Sequence, residues 1–413
     1  MTLLEPVVEP QLRVERRPEP PGEVPFHVTS VTEQDIAAVV SVMRDGWLTT
    51  GQRCVDFEHD FTEHLGGRVT SLAVSSCTAA LHLALEAVGV RPGDRVITSA
   101  YTFTAVGEVI RHLGAHPVLA DVDPVTGNVT ARTVTDAWRR LTPSARRRVR
   151  AVVPVHYAGL ACEMEVLTAL AAQHRWAVVD DAAHALPATR AGRSIGTWGD
   201  ATAFSFYATK TLSTGEGGML TTSRPEVAAR ARTMRLHGID RDCFDRYRRK
   251  DAWRYEVVDA GYKYNLTDMA AALGVSQLGR LHAMRDRRAA VADRYDEAFA
   301  GVDGLALPAH APDGDVHARH LYPLRVLGGV SVRDVFIREL AALGVSASVH
   351  FIPLHHHPHY QDTYGVVPDD LPGATTLFQQ EVSLPLFPGM TPGQVEQVVE
   401  AVPVALARAE RQG

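Results

Sequence analysis

The chain has 413 residues, 46% of them hydrophobic and 22% charged, with a formal net charge of -6. That length exceeds one ordinary core and suits two domains, and the balance is that of a globular protein able to bury them. The acidic balance argues against a general nucleic-acid binder, and no apolar run reaches membrane-spanning length.

Four cysteines (Cys54, Cys77, Cys162 and Cys243) lie too far apart for a zinc site or a disulfide framework, which fits a reducing cytoplasm. Residues 1–25 carry many Pro and Glu and lack the basic-then-apolar order of a signal peptide. They read as a disordered or loosely docked tail. Thr32 begins a helix: Asp35 gives it a capping box, Ile36, Val39, Val40 and Met43 follow at helical spacing, and Gly46 closes it. Residues 46–51, GWLTTG, form a glycine-bracketed loop.

Residues 72–85 read as a short apolar strand, a turn of small hydroxyl residues (Ser75, Ser76, Thr78), and a helix ending at Gly89. Free N–H groups and hydroxyls at such a helix start suit an anion, phosphate best. Ser76 or Thr78 would serve equally as a plain N-cap. The alternation continues with a strand at 95–99, a helix at 104–113 and a strand at 117–122. Strands at 151–156 and 176–180 follow, separated by a helix at 163–174. Arg146, Arg147, Arg148 and Arg150, just ahead of the strand at 151–156, read as a solvated face. Strands and helices in turn predict an α/β fold with a parallel sheet covered on both faces. No GxGxxG follows the first strand and no GxxxxGK[ST] occurs, which sets aside dinucleotide and P-loop readings.

The strand at 176–180 leads into Asp180, Asp181 and, shortly after, His184. Ligands of open α/β sheets lie outside the carboxyl ends of the strands. Acids there would hold a positive group, bind a metal, or cap the next turn. The rest of the reading turns on 203–220, AFSFYATKTLSTGEGGML. Ala203, Phe204, Phe206 and Tyr207 form a short buried strand, and Lys210 follows its end. Thr211, Ser213, Thr214, Gly215, Gly217 and Gly218 then let backbone pass close to something. A lysine just beyond a buried strand is partly desolvated, which lowers its pKa as a Schiff-base lysine requires. A surface lysine in a turn is the plainer alternative.

Beyond Leu220 the pattern changes. An arginine-rich helix spans 224–237, a polar stretch expected to be mobile spans 238–258, and a long helical connection spans 266 to about 299. A smaller α+β part follows, with strands at 320–326 and 345–351 and helices at 332–343 and 392 to about 407. Pro403 should kink or split the last helix. His350, His355, His356, His357 and His359 lack carboxylates at matching spacing, so they read as a loop that contacts substrate or a partner subunit, with no metal.

Six segments in order carry a resemblance: GWLTTG (46–51), SSCTAALHLAL (75–85), DDAAHA (180–185), FSFYATK with GEGGM (204–219), GYKYNLTD (261–268) and SVHFIPLH (348–355). Together they resemble the DegT/StrS-type sugar aminotransferases, pyridoxal phosphate (PLP) enzymes of the aspartate aminotransferase fold, fold type I. The resemblance implies a large PLP-binding domain at 26–265, and a linking helix with a small domain at 266–413. It implies Lys210 as the Schiff-base lysine, Asp181 facing the pyridine nitrogen, His184 near the phenolic oxygen and Phe103 stacked on the ring. Ser76, Cys77 and Thr78 would form the phosphate loop, with Ser205 as a further contact. Asn265 would reach the phosphate of a neighbouring subunit, giving a homodimer with shared sites.

Two departures stand out. Cys77 replaces a glycine of many members, and GYKYN replaces GYNYR, which makes Lys263 an alternative to Asn265. GYKYNLTD and Tyr207 look most like members that aminate carbon 4 of a nucleotide-linked keto sugar. The implied reaction moves an amino group from L-glutamate to a dTDP-4-keto-6-deoxyhexose, in amino-sugar biosynthesis for an antibiotic or a surface polysaccharide. A 3-keto sugar, a keto-cyclitol (inosose), or a PLP-binding regulator without turnover are the alternatives. The family's dehydratases carry histidine where this chain has Lys210.

Overall fold

The protein is described from a computed structural model covering residues 22–239 and 255–412. Most of the expected tail, and most of the polar stretch expected to be mobile, lie outside the described residues. The larger sheet contains β1 (Thr70–Val74), β2 (Arg95–Ser99), β3 (His116–Ala120), β4 (Val149–Val153) and β5 (Ala177–Asp181). After a small hairpin of β6 (Thr189–Arg190) and β7 (Arg193–Ser194) come β8 (Ala201–Ser205) and β9 (Gly218–Thr222). The seven strands lie in the order β1-β9-β8-β5-β4-β2-β3. The pairs β3/β2, β2/β4, β4/β5 and β5/β8 are parallel, whereas β9 is antiparallel to both β8 and β1.

Strand β9 is the antiparallel member of the expected mostly parallel sheet. The connection between β8 and β9 holds no helix, so the chain turns back instead of crossing over. Every residue of β9 is buried. Its glycine-rich start reads as a loop in sequence, and only packing on both faces makes it a strand. The helix Ala131–Arg140, capped by Thr130, is likewise absent from the sequence reading.

The first helix is as expected. Thr32 and Asp35 form the capping box of Glu33–Asp45, and Gly46 ends it with φ 74°. The long helical connection is two helices, Asp268–Leu278 and Leu281–Phe299. At the break, Arg280 reaches back to the Ser30 carbonyl (2.9 Å) and the Asp35 carboxylate (2.5 Å).

A second sheet is antiparallel, with β10 (Leu305–Ala306), β11 (Tyr322–Val326) and β12 (Glu381–Leu384) in that order. Residues 345–351 were expected to be a strand and form none. They touch the sheet at one bridge, Ser348 to Ser383. The next ladder position fails because the His350 N–H donates to the Glu381 side chain at 2.7 Å, not to a backbone carbonyl. The helix Pro392–Gln412 runs through Pro403 without the expected split. Pro403 is exposed, so water can take the carbonyl it leaves unpaired, while Val395, Val398, Val402 and Leu406 hold the opposite stripe in the core.

One pair of cores flanks the seven-stranded sheet, and a separate core forms around β11, β12 and Tyr295, Phe336 and Leu340. Two crossings tie these together. Tyr360, Leu371 and Leu377, late in the chain, pack into the first core. Val24 packs into the last, fully buried, and its N–H donates to the Gly344 carbonyl at 2.7 Å. No helix among the described residues is long and apolar enough to cross a membrane.

The helix Gln52–His64 starts at Gly51, which offers no side chain as a cap. Asp268, 3% exposed, supplies the cap from the other end of the sequence. Its carboxylate accepts from the N–H groups of Gly51 (2.7 Å), Cys54 (3.1 Å) and Arg53 (3.2 Å). Asp268→Ala should therefore cost about 2–3 kcal/mol, the range for hydrogen bonds to a charged group with buried donors left open. Urea unfolding would read this as a lower midpoint at unchanged slope. A loss under about 0.5 kcal/mol would mean that water replaces the cap.

Candidate active site

The two acids that end β5 part company because successive side chains of a strand face opposite ways. Asp180 turns away from the cavity, is fully buried, and accepts from the Thr202 hydroxyl at 3.0 Å. Burial pushes it up to about 7. Asp181 faces the cavity, where its Oδ1 accepts from the Ala183 N–H at 3.0 Å and lies 4.0 Å from Cys77 Sγ. The pair is thus not a shared metal site. No group of three or more His, Cys, Asp or Glu among the described residues is arranged to hold a metal ion.

Across the cavity, Ser76 is the N-cap of the helix Cys77–Ala87, its hydroxyl oxygen accepting from the Ala79 N–H at 3.1 Å. The first N–H groups of the helix have no intrahelical carbonyl to meet, and the helix dipole favours an anion there. Gly218 lies against this turn. A Cβ on it would fall 2.5 Å from the Ser76 carbonyl carbon and 2.7 Å from the Cys77 nitrogen. What the glycine run passes close to is therefore the backbone of the helix start. Ser205, the last residue of β8, completes the hydroxyl set, its Oγ accepting from the Tyr207 N–H at 3.3 Å.

Lys210 sits in a turn after β8, half-buried and opening on the cavity. Burial lowers its pKa to about 8, against the opposing pull of Asp181 and Cys77. Its Nζ is 3.5 Å from His320 Nε2. The His320 ring lies 4.3 Å from that of His184, and Phe351 stacks on His184 at 5.7 Å. Burial, with the Lys210 charge next, keeps His184 well below the ordinary histidine range, and its Nδ1 is buried without a partner. Phe103 is 60% exposed and lines the cavity.

Ser76, Cys77, Thr78, Phe103, Asp181, His184, Ser205 and Lys210 all line one cavity of about 540 Å³. Asn265 does not line it. Its Nδ2 donates to Thr50 Oγ1 at 2.7 Å, and its Oδ1 accepts from Lys263 Nζ, so the two alternative residues are hydrogen-bonded to each other outside the pocket. Of the histidine-rich loop, only His350 reaches the lining, whereas His355 is fully buried against Thr375. His320, Phe351, Phe26 and His27 also line the cavity and were missed. The available signal for His320 was a polar residue directly before an apolar strand. Phe26 and His27 follow a segment whose composition hides their placement.

These groups fit a flat cation-bearing ring with a phosphate arm. A buried carboxylate stands at one end, hydroxyls and a helix start at the other, an amine of lowered pKa between, and an unpartnered ring nitrogen beside it. Together with the sheet order, they define a fold-type I enzyme that uses PLP. The chain belongs to the DegT/DnrJ/EryC1/StrS aminotransferase family, whose sequence profile matches residues 29–403. It is a PLP-dependent transaminase.

Three relatives illustrate the similarity. The spore coat polysaccharide biosynthesis protein SpsC of Bacillus subtilis is 43% identical over 382 residues, 92% of this chain and 96% of that protein. The putative sugar aminotransferase Spr1654 from Streptococcus pneumoniae, in its PMP form, superposes with a TM-score of 0.86 at 31% identity, covering 94% of this chain and all of that one. Helicobacter pylori PseC, an aminotransferase involved in the biosynthesis of pseudoaminic acid, superposes with a TM-score of 0.84 at 26% identity over 94% of this chain and 100% of its own.

The charge coupling in the cavity is testable without substrate. The ionised Asp181 carboxylate favours the Lys210 ammonium, so Asp181→Asn should lower the Lys210 pKa further in cofactor-free protein. The pH dependence of amine labelling at Lys210, followed by mass spectrometry, measures it. An unchanged or higher midpoint would show that Asp181 and Lys210 do not sense each other.

Proposed function

We propose that this protein moves an amino group from L-glutamate to a nucleotide-linked keto sugar, with Lys210 as the catalytic lysine. The observation that carries the reading is the Lys210 amine, lowered to about 8, set among Asp181, Cys77 and His320 in a cavity of about 540 Å³. Such an amine is unprotonated in a useful fraction near neutrality, which a nucleophile and proton carrier needs. The naming of SpsC for polysaccharide biosynthesis, of the S. pneumoniae protein as a sugar aminotransferase and of PseC for pseudoaminic acid supports a sugar acceptor.

Bound PLP supplies an electron sink at the substrate carbon. The chain's own residues do the rest. Asp181 would keep the cofactor's ring nitrogen protonated, because an opposite charge favours the charged form. The N–H groups of Cys77 and Thr78, with the hydroxyls of Thr78 and Ser205, would hold the phosphate, and Ser76 fixes the helix start that would present them. Phe103 would supply an apolar ring for stacking, and His184 a neutral nitrogen for a hydrogen bond to the cofactor. Lys210 Nζ takes a proton from the donor's α carbon and returns it on the other side of the reaction.

The enzyme works, on this reading, as a cytoplasmic homodimer in which the Thr50–Asn265–Lys263 string of one subunit completes the phosphate site of the other. The acceptor we favour is a dTDP-4-keto-6-deoxyhexose aminated at carbon 4, on the resemblance of GYKYNLTD and Tyr207 to such members.

Lys210→Ala should lower amination at least about 10²–10⁴-fold, the range for loss of a positioned acid–base group. Spectra before and after L-glutamate, then rates with a panel of keto sugars, test the reading. Wild-type turnover by Lys210→Ala would make the mechanism wrong, and preference for an inosose would sink the nucleotide-sugar acceptor. PLP bound without turnover under saturating donor and acceptor would favour a regulator. Mixing inactive Lys210→Ala with weakened Asn265→Ala should restore activity through hybrid dimers that contain one intact site. No restoration would mean that each site is built from one chain.

A further inference from the structure

Behind the cavity wall, three side chains form a chain of hydrogen bonds that ends on the lining. Glu381 and Ser383 are two residues apart on β12, so their side chains stand on the same face. Glu381 is fully buried. Its Oε2 accepts from the His350 backbone N–H at 2.7 Å, and its Oε1 is 2.5 Å from the Ser383 hydroxyl. Ser383 Oγ is in turn 3.0 Å from Nδ1 of His350, whose ring lines the cavity. With Nδ1 turned inward, Nε2 is the nitrogen left for the cavity side.

His350 is neutral near pH 7, because burial and the Lys210 charge hold it at about 4. A neutral imidazole carries one N–H and a serine hydroxyl one proton, so the chain has two consistent arrangements. With Glu381 ionised, Ser383 donates to Oε1 and accepts from Nδ1–H, and Nε2 is a bare acceptor. With Glu381 protonated, the proton is on Oε1, since Oε2 is held by the His350 N–H. Then Oε1–H donates to Ser383, Ser383 donates to Nδ1, and Nε2 carries the N–H.

We propose that Glu381 is a positioning residue which, through Ser383, fixes the tautomer of His350 and so decides whether Nε2 offers the cavity a donor or an acceptor. This rests on the cavity being the site of amino transfer. A donor suits a carbonyl or carboxylate oxygen of donor or acceptor, and an acceptor suits a sugar hydroxyl.

The surroundings place the change in a working range. Arg333, on the helix Gly329–Ala342, donates to the Glu381 carbonyl at 3.3 Å. Tyr157 donates to the His350 carbonyl at 2.7 Å and lies against the carboxyl group, with Tyr101 nearby. Arg325 on β11 is paired with Glu381 in register. Burial outweighs the groups that favour the carboxylate and pushes Glu381 up to about 8. On the cavity side, His350 faces Lys210, His184 and His320, the two histidines held neutral by burial.

The test is a tautomer measurement on ¹⁵N-histidine-labelled holoenzyme, with His350 assigned by its loss in His350→Gln. Between about pH 6 and pH 10, wild-type Nε2 should pass from the protonated to the unprotonated signature, with a midpoint near 8. Glu381→Gln, whose amide always donates to Ser383, should stay in the Nε2–H form. Ser383→Ala should lose the change and Ser383→Thr keep it. The pH profile of kcat/KM for the donor half-reaction should have the same shape in wild type and Ser383→Thr, and should lose the Glu381 part of it in Glu381→Gln while the Lys210 part stays. A wild-type tautomer constant across the range overturns the relay. So does a tautomer change that survives Glu381→Gln, whereas a rate inflection belonging to Lys210 should persist in that variant. If glutamate fails as donor, the assigned reaction falls, and the tautomer measurement still decides the relay.

Discussion

Strand β9 begins with its backbone against the first turn of the helix Cys77–Ala87, at a distance that no side chain on Gly218 would permit. That contact needs β9 to run antiparallel between β1 and β8, because only then does its first residue arrive at the carboxyl ends of its neighbours. The same placement sets Ser205 opposite Gly218 in register. The helix start, the hydroxyl of Ser205 and the turn that carries Lys210 thus share one constraint. A larger residue at 218 would move the helix start away from the hydroxyls that surround it.

The charges of the pocket are held by burial more than by pairing. Lys210 has no ion pair among the described residues and loses part of its proton affinity to desolvation, while Asp181 is pushed the other way by the same cause. His184 and His320 are both kept neutral beside them. A single amine therefore stands among neutral rings with one acid in reach. This makes it sensitive to small changes in solvation, which is how a lysine is tuned for covalent and proton-transfer work.

The seven-stranded layer was legible where strands are apolar and helices capped. Thr32 with Asp35, and the strand-forming runs at 95–99 and 176–180, are local signals, and the structure follows them. Eight of the nine site residues named from sequence meet in one cavity, since each follows the carboxyl end of a strand or opens the next helix. Asn265 does not, being hydrogen-bonded to Thr50 and Lys263 outside the pocket. The misses share a cause. β9 begins in glycines, β12 is four residues long, and 345–351 looks like a strand until a side-chain carboxylate takes its N–H. Pattern reports local preference, whereas these three depend on what the rest of the chain places alongside. Asp180 and Asp181 show the converse: two adjacent acids are indistinguishable in sequence, and strand alternation alone assigns one to Thr202 and the other to the cavity.

Val24 joins the C-terminal core and bridges to Val345, while Phe26 and His27, only a few residues later, line the cavity. Composition puts the end of the disordered or loosely docked tail at 25, inside this strap. The strap ties the wall of the pocket to the C-terminal core, so the amino-terminal edge of the fold joins two cores. A shortened protein that begins after Val24 would keep every residue of the proposed catalytic set and still lose the fastening between the wall and the C-terminal core.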